Sequence, residues 1–175
     1  MRHTLIPRPG REDYAPYYHT YVSKVPEGDL IELLVTQLED CSKLAAGISE
    51  AAANASYAPE KWTIKQVFGH IADTERIMAY RLLRIARGDT TPLPGFEQDD
   101  YVRAGDFNSL TLQQIVEEFR AVRTATLALL RNLDTDSLSR RGTANGFPVT
   151  AQALAYVIAG HERHHIEIIR GRYLT

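Results

Sequence analysis

Near the end of the chain, Gly160-His161-Glu162-Arg163-His164-His165-Ile166-Glu167-Ile168-Ile169 sets three histidines into what otherwise reads as an apolar helix. His161 and His165 stand at i and i+4, a spacing that aims both imidazoles the same way along a helix. Such a pair can hold a divalent metal through neutral imidazole nitrogens. The inward stripe reads Leu154, Ile158, His161, His165, Ile168, so the two histidines occupy positions where the pattern calls for aliphatic side chains. An unpaired polar nitrogen in a core costs about 1 to 3 kcal/mol, so both rings must find partners. A metal satisfies both at once. The alternative is a pair of buried histidines hydrogen-bonded to carboxylates such as Glu75 or Asp73, and spacing alone leaves the two readings level.

The letters His161-Glu162-x-x-His165 also match the zinc-protease pattern HExxH, in which the glutamate is the general base and a third ligand lies downstream. Here no histidine follows His165, and Glu167 is too close along the same helix to act as a distant ligand. The metalloprotease therefore stands as an alternative only. Glu162 sits about 100° around the helix from His161, which places it on a flank or at the surface.

Four amphipathic segments must position these groups. Leu30, Leu33, Leu34, Leu38, Cys41, Leu44, Ala45 and Ile48 follow the helical period, predicting a first helix from Asp29 to about Ala53 with Cys41 in the core. Thr63 and Gln66 form a capping-box pattern for a second helix running to about Arg87, with Gly88 as its stop. On one flank of that helix lie His70, Thr74, Ile77 and Arg81. A lone histidine beside a core is ordinarily structural; the later pair makes His70 a candidate ligand. Thr111 and Gln114 repeat the capping box for a third helix, whose Glu117, Glu118, Arg120 and Arg123 are expected on its solvated side or edges. Thr150 is the expected N-cap of a fourth helix, Ala151 to about Arg172.

The connections carry information too. Pro7, Pro9, Pro16 and Pro26 forbid a long helix over residues 1–26, an arm whose Tyr14, Tyr17, Tyr18 and Tyr21 either pack on the domain or form a lid over a pocket. Residues 88–108 form a Pro/Gly-rich connection long enough to run the length of a helix, so the third helix need not be antiparallel to the second. Asp99, Asp100 and Tyr101 in it either reach a site at the bundle's end or form a solvated acidic loop. Between the third and fourth helices, Asn145-Gly146 signals a turn and DSLSRRG one helical turn, with too little alternating apolar sequence for a sheet.

A chain of 175 residues, 44% hydrophobic and 24% charged, suits one globular domain spanning 1–175, with the arm at 1–26 and the bundle at 27–175. The net charge of −2 gives no reason to expect a nucleic-acid partner or an anionic membrane surface. The single cysteine rules out a disulfide framework within the chain and fits a reducing, cytoplasmic setting, and no run approaches the roughly 20 apolar residues of a membrane span.

The segments KWTIKQVFGHIADTERIMAYRLLRIARGDTTPLPGFEQDDY, EEFRAVRTATLALL and ALAYVIAGHERHHIEIIRGRYL in combination resemble the DinB-like four-helix bundles, in particular the YfiT-like metal-dependent proteins. The resemblance implies an all-α four-helix bundle with a long connection between the second and third helices. It also implies a divalent metal, zinc or nickel, bound by one histidine of the second helix and a His-x-x-x-His pair of the last. By motif these fall on His70, His161 and His165; His164 is not carried over as a ligand. It further implies homodimerisation.

Three neutral imidazoles leave a coordination position for water, which a divalent metal can acidify, or for a thiolate. The expected chemistry is metal-dependent hydrolysis of a small molecule or S-transfer from a low-molecular-weight thiol. The catalytic group would be the metal-bound water or thiolate itself, with Glu162 a further candidate. Arg81, Arg84 and Tyr101 are candidates for binding substrate anions or hydroxyls, with salt-bridge roles open to the arginines. The alternative of another class is a non-enzymatic helical bundle with a structural metal or a protein-interaction role.

Overall fold

A computed structural model describes residues 5–174; residues 1–4 of the expected arm, and Thr175, lie outside the described residues. The arm runs through single 3-10 turns at Arg11–Asp13 and Pro16–Tyr18 into a short helix α1 (His19–Val22). The bundle is built from α2 (Leu30–Ala46), α4 (Ile64–Ala86), α6 (Leu112–Arg131) and α8 (Ala151–Ile168), with α8 prolonged by a π turn at Ile169–Tyr173. Between them lie α3 (Glu50–Ala53), α5 (Gln98–Gly105), α7 (Thr135–Ser139) and the strands β1 (Arg141–Ala144) and β2 (Phe147–Thr150).

The helix starts follow from their caps. Asp29 accepts from the amides of Ile31 and Glu32, and Thr63 and Thr111 each close a full capping box with the glutamine three residues on. Thr150 accepts from Ala153 N. One expected helix is interrupted: the segment drawn from Asp29 to Ala53 stops at Ala46. Ser49 there turns extended and caps the separate α3 through Ala52 N, which satisfies free amides more readily than continuing the helix would.

Strands also form where none were expected. β1 and β2 make a hairpin with Arg141 opposite Thr150 and Ala144 opposite Phe147. Asn145 and Gly146, at φ 51° and 80°, supply the two left-handed residues that a tight two-residue hairpin turn needs. Four residues per strand are too few for alternation to show in the sequence. Leu93, in the long connection, bonds to the hairpin through Thr143 O and Asn145 N and holds that connection against the bundle.

The connection determines the topology. From the end of α4 it travels back, and at its far end Asn108 lies hydrogen-bonded to Thr63, the cap of α4, while Phe107 packs flat on Gly69. α6 therefore starts beside the start of α4 and runs parallel to it, as the Arg76–Glu118 and Glu75–Arg123 pairs also require. α2 runs parallel to α8, through Gln37 to Ala159 and Cys41 to Glu162, and both oppose α4 and α6.

The apolar core falls into two clusters. One surrounds Leu34, Leu82, Leu130 and Leu154; the other surrounds Phe68, Ile71, Phe119 and Ile169. At the level between them the helices turn polar side chains inward: Gln37 of α2, His70, Thr74 and Glu75 of α4, Arg123 and Thr126 of α6, and His161 and Glu162 of α8. The fold thus carries a polar layer across its middle.

Candidate metal centre

Within that layer, α4 and α8 cross so that His70 meets the His161/His165 pair. The ring centroids stand 4.8 Å (His70 to His161), 4.8 Å (His70 to His165) and 4.5 Å (His161 to His165) apart. One ligating nitrogen from each ring lies within 4.8 Å of the others, and the Nε2 atoms of His70 and His161 are 3.0 Å apart. Nitrogens about 2.0 to 2.1 Å from a tetrahedral zinc sit roughly 3.3 Å from one another, so the donor set is close to the spacing an ion needs. Thr74 Oγ1 engages His70 Nδ1 at 3.4 Å, leaving Nε2 turned toward the other two rings. His70 and His161 are buried and His165 half-buried.

Electrostatics favours the ligand form of all three. Burial lowers His70 to about 4 and His165 to about 3, with His70 and His164 adding to the effect on His165. His161 is driven well below its ordinary value by burial and by its three histidine neighbours. Neutral imidazole is the state that donates a lone pair to a metal.

The carboxylates that could have explained the histidines without a metal are occupied elsewhere. Asp73 pairs with Arg76 at 3.5 Å, and Glu75 takes three hydrogen bonds from Arg123, two from Nε at 2.9 and 3.1 Å and one from Nη2 at 2.8 Å. Arg123, expected at the surface, is fully buried and also donates to Glu162 Oε2 at 2.6 Å and Leu34 O at 2.9 Å. Burial works against its charge, but Glu162 and Glu75 more than offset that and hold the guanidinium ionised. Glu162, expected on a flank, is likewise buried. Its carboxyl is pushed up by burial and pulled back by Arg123, and it accepts from the Cys41 thiol. With its oxygens so engaged, Glu162 lacks the free carboxylate that an HExxH general base requires. Cys41 is buried as expected, its thiol pushed up by burial and by Glu162, so it is no nucleophile.

Two aromatic walls close on the histidines; Tyr21 belongs to the arm expected to pack on the domain or cover a pocket, whereas nothing in the sequence pattern singles out Trp62. Trp62, just before α4, lies 4.8 Å from the His70 ring and 6.5 Å, nearly parallel, from His165. Tyr21 of α1 meets His161 edge-on at 5.2 Å and His164 at 5.5 Å. Gly160 makes the Tyr21 contact possible, because a Cβ there would overlap the Tyr21 carbonyl. Tyr17, Tyr18 and Tyr21, together with Phe96 and Glu97 of the long connection, line a cavity of about 320 Å³ whose floor includes His70 and His161. The arm tyrosines are thus packed on the bundle and form a cavity wall at once.

The remaining sequence candidates separate. Arg81 lines the cavity and is 3% exposed; it donates to Tyr18 Oη at 3.3 Å and to Pro94 O. Arg84 is bound to Asp89 and Tyr80 and is not part of the cavity lining. Tyr101 is exposed and packs on Phe96, its ring also outside the lining. Asp99 reaches the cavity rim, whereas Asp100 forms an exposed pair with Arg103.

The family description of the DinB superfamily matches residues 33–169, which include every residue of the three-histidine cluster. The chain belongs to the DinB superfamily. Over 118 residues this DinB-superfamily chain is 28% identical to an Oceanobacillus iheyensis protein named "Putative metal-dependent hydrolase", a match spanning 66% of each of the two, just under two thirds. Among solved structures it is similar to YfiT from Bacillus subtilis, "a probable metal-dependent hydrolase with an unusual four-helix bundle topology". That likeness has a TM-score of 0.69 at 16% identity, over 93% of this chain and 91% of that one. It is also similar to a mycothiol-dependent maleylpyruvate isomerase, with a TM-score of 0.66 at 15% identity, over 83% of this chain and 61% of that longer one. At such identities the likeness is one of fold, and the all-α four-helix bundle is that fold. Among the described residues no helix is long and apolar enough to cross a membrane.

Proposed function

We propose that this chain is a metal-dependent enzyme acting on a small molecule, with His70, His161 and His165 holding a divalent ion, zinc or nickel first. The observation that carries the reading is the convergence of three neutral imidazoles, two of them on the wall of an accessible cavity, with no carboxylate of the polar layer spent on them. A divalent ion held there would supply a Lewis acid and depress the pKa of an oxygen or sulfur donor drawn from the cavity. Thr74 would orient His70, Trp62 and Tyr21 would fix the ring planes and exclude bulk water, and the Arg123 layer would hold α4 and α8 at their crossing.

Hydrolysis is the first reaction assigned. Transfer from an external thiol is the second, favoured by the room in the cavity and by the inert state of Cys41, which removes an internal sulfur nucleophile. The relatives named as a metal-dependent hydrolase and a mycothiol-dependent isomerase support the two in turn. The test is metal analysis of the purified protein and of His161→Ala. Loss of metal and activity with the fold retained supports a reaction centre; unfolding of the variant supports a structural ion. A wild type that takes up no zinc, nickel or manganese refutes the reading. Turnover of an electrophile with and without a panel of cellular thiols separates the two reactions.

A further inference from the structure

Three cationic side chains are buried among the described residues: Lys65, Arg81 and Arg123. Lys65 is paired with Glu50 at 2.7 Å, and Arg123 with both Glu75 and Glu162. Arg81 alone has no carboxylate of the described residues within ion-pair range; its partners are a phenol, a thioether, a backbone carbonyl and the Phe96 ring face. A guanidinium withdrawn from water without a counter-charge is costly, and that cost is relieved where an anion can reach it.

Its position says which anion. His70, Thr74, Met78 and Arg81 share one stripe of α4, at i, i+4, i+8 and i+11, and all four line the same cavity. The Cα rise from His70 to Arg81 is about 16 Å, and the arginine leans back toward the histidines over Met78, its Nη1 3.7 Å from the sulfur. The cavity therefore has a metal-ligating end and a cationic end, separated by the thioether and the arm tyrosines. Acidic groups in the lining are confined to Glu97 and Asp99, both exposed at the rim. Among the described residues Arg81 is the only lysine or arginine in the lining, which suits a carboxylate better than a phosphate dianion.

Resting on the metal-centre reading above, we infer that the site takes an elongated small-molecule monocarboxylate, its reacting group at the three histidines and its carboxylate on Arg81. Arg81 is then the residue that selects substrate by charge and by length.

The test uses the full chain loaded with cobalt(II), whose thiolate charge-transfer absorption reports sulfur reaching the metal. The probes are 6-mercaptohexanoate, its neutral counterpart 6-mercaptohexanol, and the short 3-mercaptopropionate. Charged hydrogen bonds of about 1.5 to 3 kcal/mol make the long acid bind roughly 10- to 100-fold more tightly than the alcohol. The short acid, unable to span the cavity, gains no such advantage. Arg81→Met, with its fold checked by circular dichroism, brings the acid-to-alcohol ratio to near one, and Arg81→Lys restores part of it. Equal affinities of the long acid and alcohol in the wild type, with the cobalt–thiolate band present, overturn the inference while leaving the metal centre standing. A cobalt-loaded protein showing no such band with any thiol overturns the open metal position, and this inference with it.

Discussion

Replacing Arg123 with methionine removes the only positive charge from a buried cluster of one guanidinium and two carboxylates. With both carboxyls ionised the cluster has a formal charge of −1; Arg123→Met leaves Glu75 and Glu162, 3% and 2% exposed, without their counter-charge. Four hydrogen-bond contacts of Arg123 to carboxylates are lost, at 2.6 to 3.1 Å, together with the bond to Leu34 O that ties in α2. Stranding buried charge in this way costs about 3 to 5 kcal/mol. Glu162→Gln does the opposite. It leaves a matched Arg123–Glu75 pair and an amide still able to accept from Arg123, so the loss is about 1 kcal/mol. The pH dependence sharpens the contrast. Burial already raises the Glu162 carboxyl, and without Arg123 it rises further. A folded pKa above the unfolded value means that the folded state binds the proton more tightly, so stability falls as pH rises through that window. Urea unfolding followed by circular dichroism should therefore show Arg123→Met most destabilised near about pH 8 and partly recovered near about pH 5. A variant within about 1 kcal/mol of wild type at the higher pH, or one whose deficit grows on acidification, would refute the account of this layer.

The histidines give the reverse pH response in the metal-free protein. His70, His165 and His161 all have folded pKa values below the unfolded one, so the fold binds fewer protons and loses stability as pH falls from about 6.5 toward 4 and 3, by at most about 4 kcal/mol per pH unit if all three stay neutral. Urea midpoints measured across that range check it, and a flat profile counts against burial as the cause. Gly160→Ala, ordinarily worth about 1 kcal/mol to a helix, should instead cost about 1 to 3 kcal/mol by forcing α1 off α8; lowered thermal stability and increased tyrosine accessibility would register it. Cys41 should resist a thiol-specific reagent in the native protein and react promptly in denaturant, whereas prompt native reaction would contradict its burial beneath Glu162.

Most of the frame was legible because local chemistry and global packing agree in it. Thr63, Thr111 and Thr150 announce helix starts by side chains that must accept from free amides, and the 3.6-residue period carries the rest. The histidines of α4 and α8 were legible as irregularities in apolar stripes. Arg123 and Glu162 were irregularities of the same kind: Arg123 lies midway between Phe119 and Leu127, Glu162 midway between Ile158 and Ile166, each four residues from a buried neighbour. They were placed outside because their partners come from other helices, and periodicity carries no information about which charges meet across a bundle. The hairpin escaped for a different reason: its strands are too short to alternate, and its outer partner, Leu93, comes from a remote segment. The direction of α6 depends on where Phe107 and Asn108 dock, a tertiary contact that composition cannot foretell.

The parallel course of α4 and α6 obliges the chain to return along the outside of the bundle, and that return strand crosses the rim of the cavity at residues 95–99. A topological necessity therefore supplies part of the cavity rim. It is fastened at Leu93 to the hairpin and by the Phe107 ring to α4, with Val102 buried between them, while the exposed Gly95, Glu97, Gln98 and Asp99 border the cavity. Substitutions at residues 95–99 can recast what the cavity admits while the histidines and the arginine layer stay as they are. The fold in effect separates an interchangeable faceplate from a fixed polar interior.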